Sequence, residues 1–230
     1  MIIITGVSRG LGKALAEYYL DKGETVIGLG RQNFIEHPNY SFFQIDLSLP
    51  TAINELDLSW VHGEVTLINN AGIIGEIGRV SEMSTWDLET VLKVNTIGPM
   101  QLAKRCYNLS SKDNFTLVNI SSGAASRAIP SWAAYCASKS ALNMLSETFY
   151  LEELELGRTP KVYAIAPGVI DTPMQEEIRG ANPKSFSSLQ NFIALKKEER
   201  LFTPSYCAKL LDQLLSKQYE GDVFYDLREL

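Results

Sequence analysis

Tyr135 and Lys139 close the run SSGAASRAIPSWAAYCASK, which spans 121–139. A separation of four residues puts both side chains on one face of a helix. An ammonium beside a phenol favours the phenolate, so Lys139 is expected to draw Tyr135 down from its ordinary value of about 10. Ser122 stands near the head of the same run. The end of an apolar strand-like stretch, FTLVNI at 115–120, delivers it there as a neutral hydrogen-bond donor. A donor, a tunable acid and a cation meeting at one point suit proton transfer to a carbonyl oxygen. Hydride, the other half of a ketone reduction, has no source among protein side chains and requires a cofactor.

The N-terminal segment offers a place to hold one. Residues 2–4 read as a strand buried on both faces. They run into Thr5-Gly6-Val7-Ser8-Arg9-Gly10-Leu11-Gly12, then an amphipathic pattern (Leu11, Leu15, Ala16, Tyr19, Leu20) that ends at Gly23. Strand, glycine loop and helix is the context a dinucleotide phosphate site needs. The glycines let the backbone approach a pyrophosphate, which rests at the helix N-terminus. The spacing is G-x-x-x-G-x-G rather than the commoner G-x-G-x-x-G, so the loop by itself leaves an ordinary glycine turn open. Sites that select NAD place an acid about 20 residues past the loop. After a second strand at 25–29, that place holds Gly30-Arg31-Gln32, with no acid between Thr25 and Ile35. Arg31, together with Arg9 in the loop, suits a 2′-phosphate and points to NADP(H).

Further strands are expected at 41–45, 64–68, 115–120, 161–166 and 222–225. Asp46 ends the third strand, where it either accepts from an adenine amino group or caps a weak helix over 50–58. Asn69-Asn70-Ala71-Gly72 ends the fourth, at the edge where open α/β sheets bind ligands. Tying neighbouring loops together is the other use of two amides there. One long helix is expected over 84–107, with Leu88, Val91, Leu92, Ile97 and Leu102 as its apolar stripe. Asn95 and Gly98 have poor propensity inside it. Asn95 there either faces solvent or opens the hydrogen-bond ladder and holds a water. The helix carrying Tyr135 runs to about 156, stopped by Gly157 and Pro160. After the sixth strand come Pro167-Gly168-Val169-Ile170-Asp171-Thr172-Pro173-Met174. The stretch 175–202 lacks clear periodicity and reads as a mobile substrate lid of short helices, or as a surface insertion. A capped amphipathic helix is expected over 203–217. Strands alternating with helices give an α/β fold, a doubly wound parallel sheet, as a single domain over 1–230.

Composition narrows the partners. In 230 residues, 45% hydrophobic and 21% charged content are ordinary for a soluble globular chain. A net charge of −6 argues against nucleic acid or an anionic membrane as partner. No apolar run approaches the roughly 20 residues that span a bilayer. The apolar start MIIITG has no basic n-region, so it reads as a strand rather than a leader. Cys106, Cys136 and Cys207 are odd in number and form no CxxC pair, which fits reduced thiols in the cytoplasm and gives no disulfide framework. His37 and His62 lack neighbours at metal-ligand spacing, so no metal is expected.

Taken in order, TGVSRGLG at 5–12, NNAG at 69–72, Asn95, Ser122 with Tyr-x-x-x-Lys at 135–139, and PG at 167–168 resemble the classical short-chain dehydrogenase/reductase family over essentially the whole chain. The resemblance implies a Rossmann-type fold of about seven strands with helices on both faces. It implies an NADP(H)-dependent oxidoreductase in which Tyr135 is the general acid and Ser122 orients the carbonyl. Lys139 would hold the nicotinamide ribose and lower the tyrosine, and Asn95 would support a relay water to Lys139. Gly6, Ser8, Arg9, Gly10, Leu11 and Gly12 would carry the cofactor phosphates, with Arg31 at the 2′-phosphate. Asp46 and Leu47 would lie at the adenine, and Asn70, Ala71 and Gly72 near its ribose. Pro167 and Gly168 join the cofactor contacts, with Ile170 and Thr172 at the carboxamide and phosphates. A homodimer paired through long helices, or a tetramer, is also implied.

Within the family, NISS, WAAYCASKSALNML, APGVIDTPMQ and GDVFYD are similar to sepiapterin reductases and bacterial benzil reductases. Pteridine reductases carry an acid directly before the terminal Phe-Tyr-Asp. Here that place is Val223, with Asp222 one residue earlier and so on the other face of a strand. Ser122, Trp132, Tyr135 and Met174 are the expected substrate contacts. With Ile129 and the lid aromatics they suit an apolar ketone or vicinal diketone. A pteridine, a hydroxysteroid and a 3-oxoacyl thioester stay open as substrates. So does a redox-silent NADPH sensor, although Ser122, Tyr135, Lys139 and Asn95 are all retained.

Overall fold

The computed structural model describes residues 1–59 and 61–230. Seven parallel strands form one sheet in the order β3-β2-β1-β4-β5-β6-β7. They are β1 Ile2–Thr5, β2 Val26–Gly30, β3 Tyr40–Gln44, β4 Val65–Asn69, β5 Phe115–Ile120, β6 Lys161–Ala166 and β7 Phe224–Asp226. Successive side chains of a strand point to opposite faces, and in a parallel sheet both faces are covered. The unbroken run at β1 follows from this. Ile2 and Ile4 enter a core with α1 (Gly10–Asp21) and α8 (Pro204–Leu215), while Ile3 enters the core on the other face. That second core takes in α2 (Pro50–Glu55), α4 (Gly98–Leu109) and the C-terminal half of α5 (Ala133–Glu155). Strand order reverses direction between β1 and β4, which is where a doubly wound sheet opens a crevice at its carboxyl edge.

The helix expected over 84–107 is in three pieces: α3 Thr85–Leu92, a π turn at Lys93–Ile97, and α4. Pro99 is the reason. It has no N–H, so the Asn95 carbonyl loses its ordinary i+4 donor, and the ladder widens until Gly98 N–H reaches Lys93 O. Asn95 is thereby turned fully inward. β7 starts two residues later than expected, leaving Asp222 outside the strand and Val223 buried in the second core.

The stretch after β6 carries α6 (Pro173–Arg179) and α7 (Leu189–Lys197). Its far end is sewn back by a parallel bridge between Ile170 and Phe202. Phe186 anchors its middle at 1% exposure, and the Ser131 hydroxyl donates to the Ser185 carbonyl. Thr203 caps α8, accepting from Tyr206 N–H at 3.2 Å. Among the described residues no helix is long and apolar enough to cross a membrane.

Candidate active site

β5 delivers Ser122, and α5 delivers Tyr135 and Lys139, to the wall of a cleft of about 1130 Å³ along the carboxyl edge of the sheet. The Ser122 hydroxyl stands beside the Tyr135 phenol and favours its ionised form. It also accepts from Ala124 N–H at 3.1 Å, which holds its rotamer. Tyr135 is 8% exposed and Lys139 4%. Burial pushes the Tyr135 phenol up, and the Ser122 hydroxyl pulls it only partly back. The expectation that Lys139 draws the tyrosine down is overturned. The Lys139 ammonium sits 5.8 Å from the ring centroid and donates to the Ile120 carbonyl at 2.7 Å. Burial disfavours its charge as well, lowering it to about 8. A phenol kept protonated at neutral pH is a proton donor rather than a base.

Asn95 does not line the cleft. Its Oδ1 accepts from Ile73 N–H at 2.9 Å, and its Nδ2 donates to Ile73 O and to Ser138 Oγ. Both amide hydrogens are therefore committed, so a relay water here would be held by the backbone of the opened ladder rather than by Nδ2. Asn95 does stand beside Lys139: a Cβ placed on Gly72 would lie 3.4 Å from Asn95 Oδ1 and 3.5 Å from Lys139 Nζ. Ser138, fully buried and donating to Tyr135 O, is a partner the sequence did not single out.

At the other end of the cleft, Gly6, Ser8, Arg9, Gly10 and Leu11 form the loop before α1, and the cleft runs past them to Arg31, Asp46 and Leu47. Gly6 holds φ +75 with Ala71 Cα 2.9 Å from where a Cβ would stand. Only glycine fits there. Gly12 does not line the cleft. A Cβ on it would meet Gly6 O at 2.3 Å, so its role is to let α1 close on its own loop. The helix begins at Arg9 with no side-chain cap, leaving its first N–H groups directed to the cleft. Arg9 and Arg31 are exposed and form no ion pair among the described residues. Burial pushes Asp46 upward, but bonds from Ser48 and the charge of Arg31 bring it below the usual carboxylate value.

Asn70 serves both readings of its motif. It lines the cleft with Ala71 and Gly72, and its Nδ2 donates to Thr5 O at 2.9 Å. Thr5 Oγ1 in turn accepts from the N–H groups of Asn70 and Ala71. Asn69 lies beneath, its Nδ2 donating to Asn119 Oδ1 at 2.8 Å. Pro167, Gly168, Ile170 and Thr172 form the rim between the two ends. A glycine cradle, an uncapped helix start and two unpaired arginines fit the phosphates of a nicotinamide dinucleotide.

The substrate end is apolar. Trp132, Ile129, Met174 and Phe192 line it. Val223 and Asp222 do not. Glu177, Asp226 and Glu229 are the carboxylates that line the cleft there, and Asp226 is gripped by the Arg228 guanidinium through both carboxylate oxygens.

A family model described as short chain dehydrogenase matches residues 1–183. The chain belongs to that family. Its members use a nicotinamide cofactor, and this chain is an oxidoreductase acting on CH–OH or carbonyl groups. It is 36% identical over 242 residues to a benzil reductase ((S)-benzoin forming) of Bacillus subtilis, covering 100% of this chain and 98% of that one. It is 30% identical over 186 residues to an NADPH-dependent pterin aldehyde reductase of Arabidopsis thaliana, covering 75% and 76%. Among solved structures, a short-chain dehydrogenase/reductase of Saccharomyces cerevisiae, YIR035C, superposes with a TM-score of 0.85 at 29% identity, covering 98% and 95%. A 4-hydroxyisoleucine dehydrogenase complexed with NADH superposes at 0.79 and 28% identity, covering 98% and 95%.

Proposed function

We propose an NADPH-dependent carbonyl reductase that takes apolar ketones, and vicinal diketones of the benzil kind above all. The observation that carries it is the convergence of Ser122 and the buried Tyr135 on one wall of the cleft, between an aromatic pocket and a glycine-loop phosphate cradle. The dihydronicotinamide supplies hydride when bound. The protein's own part is proton delivery and orientation. Ser122 Oγ and Tyr135 Oη hold the carbonyl oxygen, and the phenol gives its proton as negative charge develops there. Lys139 sits between Tyr135 and Gly72, where it suits a ribose hydroxyl. The stretch 175–202 acts as a lid that excludes water, its aromatic side chains forming the pocket roof.

Two features favour a diketone over a pteridine. No carboxylate stands at the Val223 position in the cleft, and Asp226 is already engaged by Arg228. The relatives named above differ in cofactor, so Arg9 and Arg31 decide the choice. Exposed Ile97 and Met100 on one helical segment and Met144 and Leu151 on α5 support a homodimer. The free thiols Cys106, Cys136 and Cys207 suit a reducing cytoplasm.

The test is loss of nicotinamide absorbance with NADPH and NADH in parallel against benzil, other diketones and sepiapterin. Diketone turnover with NADPH is expected. Faster sepiapterin reduction would move the substrate assignment, and tight NADPH binding without turnover of any carbonyl would make the protein a sensor. Arg31→Asp is expected to cut kcat/KM for NADPH roughly 10- to 100-fold while raising that for NADH, as loss of a charge-assisted phosphate contact does. An unchanged cofactor ratio would mean that Arg31 does not touch the phosphate.

A further inference from the structure

Trp132 stands immediately before α5, three residues ahead of Tyr135, with its ring edge-on to the Tyr135 ring at 5.6 Å. It is 6% exposed, and its Nε1 is buried without a hydrogen-bond partner. The polar groups around it are paired. Ser131 Oγ donates to Ser185 O, Ser122 Oγ accepts from Ala124 N–H, and Lys139 Nζ donates to Ile120 O. Phe186, stacked at 5.5 Å and 16°, and Phe192, at 5.2 Å and 38°, pack against the indole side by side, 5.7 Å from each other. An indole N–H lies in the ring plane, so stacking does not satisfy it. Phenylalanine at this position would supply the same stacking without burying an unpaired donor.

We propose that the Trp132 indole N–H is a substrate-recognition donor, donating to the second oxygen of a vicinal dicarbonyl. This rests on the carbonyl-reductase reading above. A 1,2-dicarbonyl carries acceptors on adjacent carbons. Ser122 and Tyr135 hold the one that receives hydride and proton, and Trp132 holds the other. Nε1 is closed to water, so the acceptor arrives with the substrate as the Phe186–Phe192 cluster repacks around it. Hydride from NADPH forms one new C–H bond, the Tyr135 proton goes to that oxygen, and NADP+ is released. The second carbonyl, held by Trp132, stays oxidised, so the product is an α-hydroxy ketone. For unsymmetrical diketones the same contact fixes which carbonyl is reduced.

Benzil and deoxybenzoin share a skeleton and differ by this second oxygen, which makes the test a two-by-two comparison. Trp132→Phe is expected to lower kcat/KM for benzil about tenfold more than for deoxybenzoin, the size of one lost hydrogen bond to a buried donor. Incorporating 3-benzothienylalanine at 132 replaces N–H by sulfur in the same bicyclic outline. It is expected to reproduce the selective loss, and it keeps the test sound if the phenylalanine variant folds poorly. Equal losses on both substrates, or no loss on benzil, would overturn the proposal while leaving the reductase reading intact. Wild-type silence on both substrates would instead end the reductase reading, and this assignment with it.

Discussion

Tyr135→Phe is expected to lower carbonyl turnover by about 10²- to 10⁴-fold, the range for loss of a positioned general acid, while NADPH binding changes little. The substitution removes one oxygen, which stands beside Ser122. It leaves the ring edge that packs on Trp132. The glycine cradle and the two arginines are far along the cleft and lose nothing. The pH profile supplies a second check. Burial raises the phenol, so it stays protonated through neutral and mildly alkaline solution. Tyr135 should therefore impose no fall in reduction until pH climbs past its raised value, so any loss nearer pH 8 belongs to Lys139. Steady-state rates with wild type and variant, beside a fluorescence titration of NADPH, read both effects. A phenylalanine variant keeping more than about a tenth of wild-type turnover would remove Tyr135 from the acid role.

Strand positions were readable because parallel strands covered on both faces are continuous apolar runs. FTLVNI and KVYAIA are strands with the bounds expected of them. The long helix was misread because periodicity records which residues are apolar, and Leu88, Val91 and Leu102 keep their rhythm through the break. What decides the backbone is Pro99, whose missing N–H acts on the residue four places earlier. That signal was present in the sequence and lies outside the apolar stripe. β7 starts two residues later than expected, although Val223 fills the second core and Ala164 N–H donates to its carbonyl at 2.7 Å.

Within the site, residue types revealed which groups meet but not what their surroundings do to them. Tyr135 and Lys139 share a helix face as four-residue spacing requires. Their charges are set by burial, which depends on residues distant in sequence such as Phe186 and Ile74. Spacing rules treat the ammonium as solvated, and here it is 4% exposed and lowered to about 8. Ser131 is a similar case. It sits in the left-handed region at φ 73, unusual for a residue other than glycine. Its carbonyl accepts from Gly78 N–H and its hydroxyl reaches the stretch after β6. No local sequence feature announces such a contact.

Lys139→Met is expected to abolish turnover and make the protein more stable at neutral pH. The two effects share one cause. Lys139 is 4% exposed and its ammonium is lowered from 10.5 to about 8 by burial. The unfolded chain therefore binds more protons than the folded one between those values, and stability rises with pH across that window. Below about pH 8 the folded state carries the whole cost of burying the charge, about 3 kcal/mol for a shift of this size. Methionine fills similar volume without charge. It forfeits the bond to the Ile120 carbonyl, which returns about 1 kcal/mol of the gain. The net is about 2 kcal/mol, or a Tm higher by roughly 4–8 °C in a chain of this length. The difference should shrink as pH rises from 7 towards 10, because the wild-type lysine then sheds its proton. Thermal melts of both proteins at several pH values, with activity measured alongside, make the comparison. A variant less stable at pH 7, or a Tm difference flat in pH, would show that the ammonium is solvated or paired in the folded protein and that burial does not govern its charge.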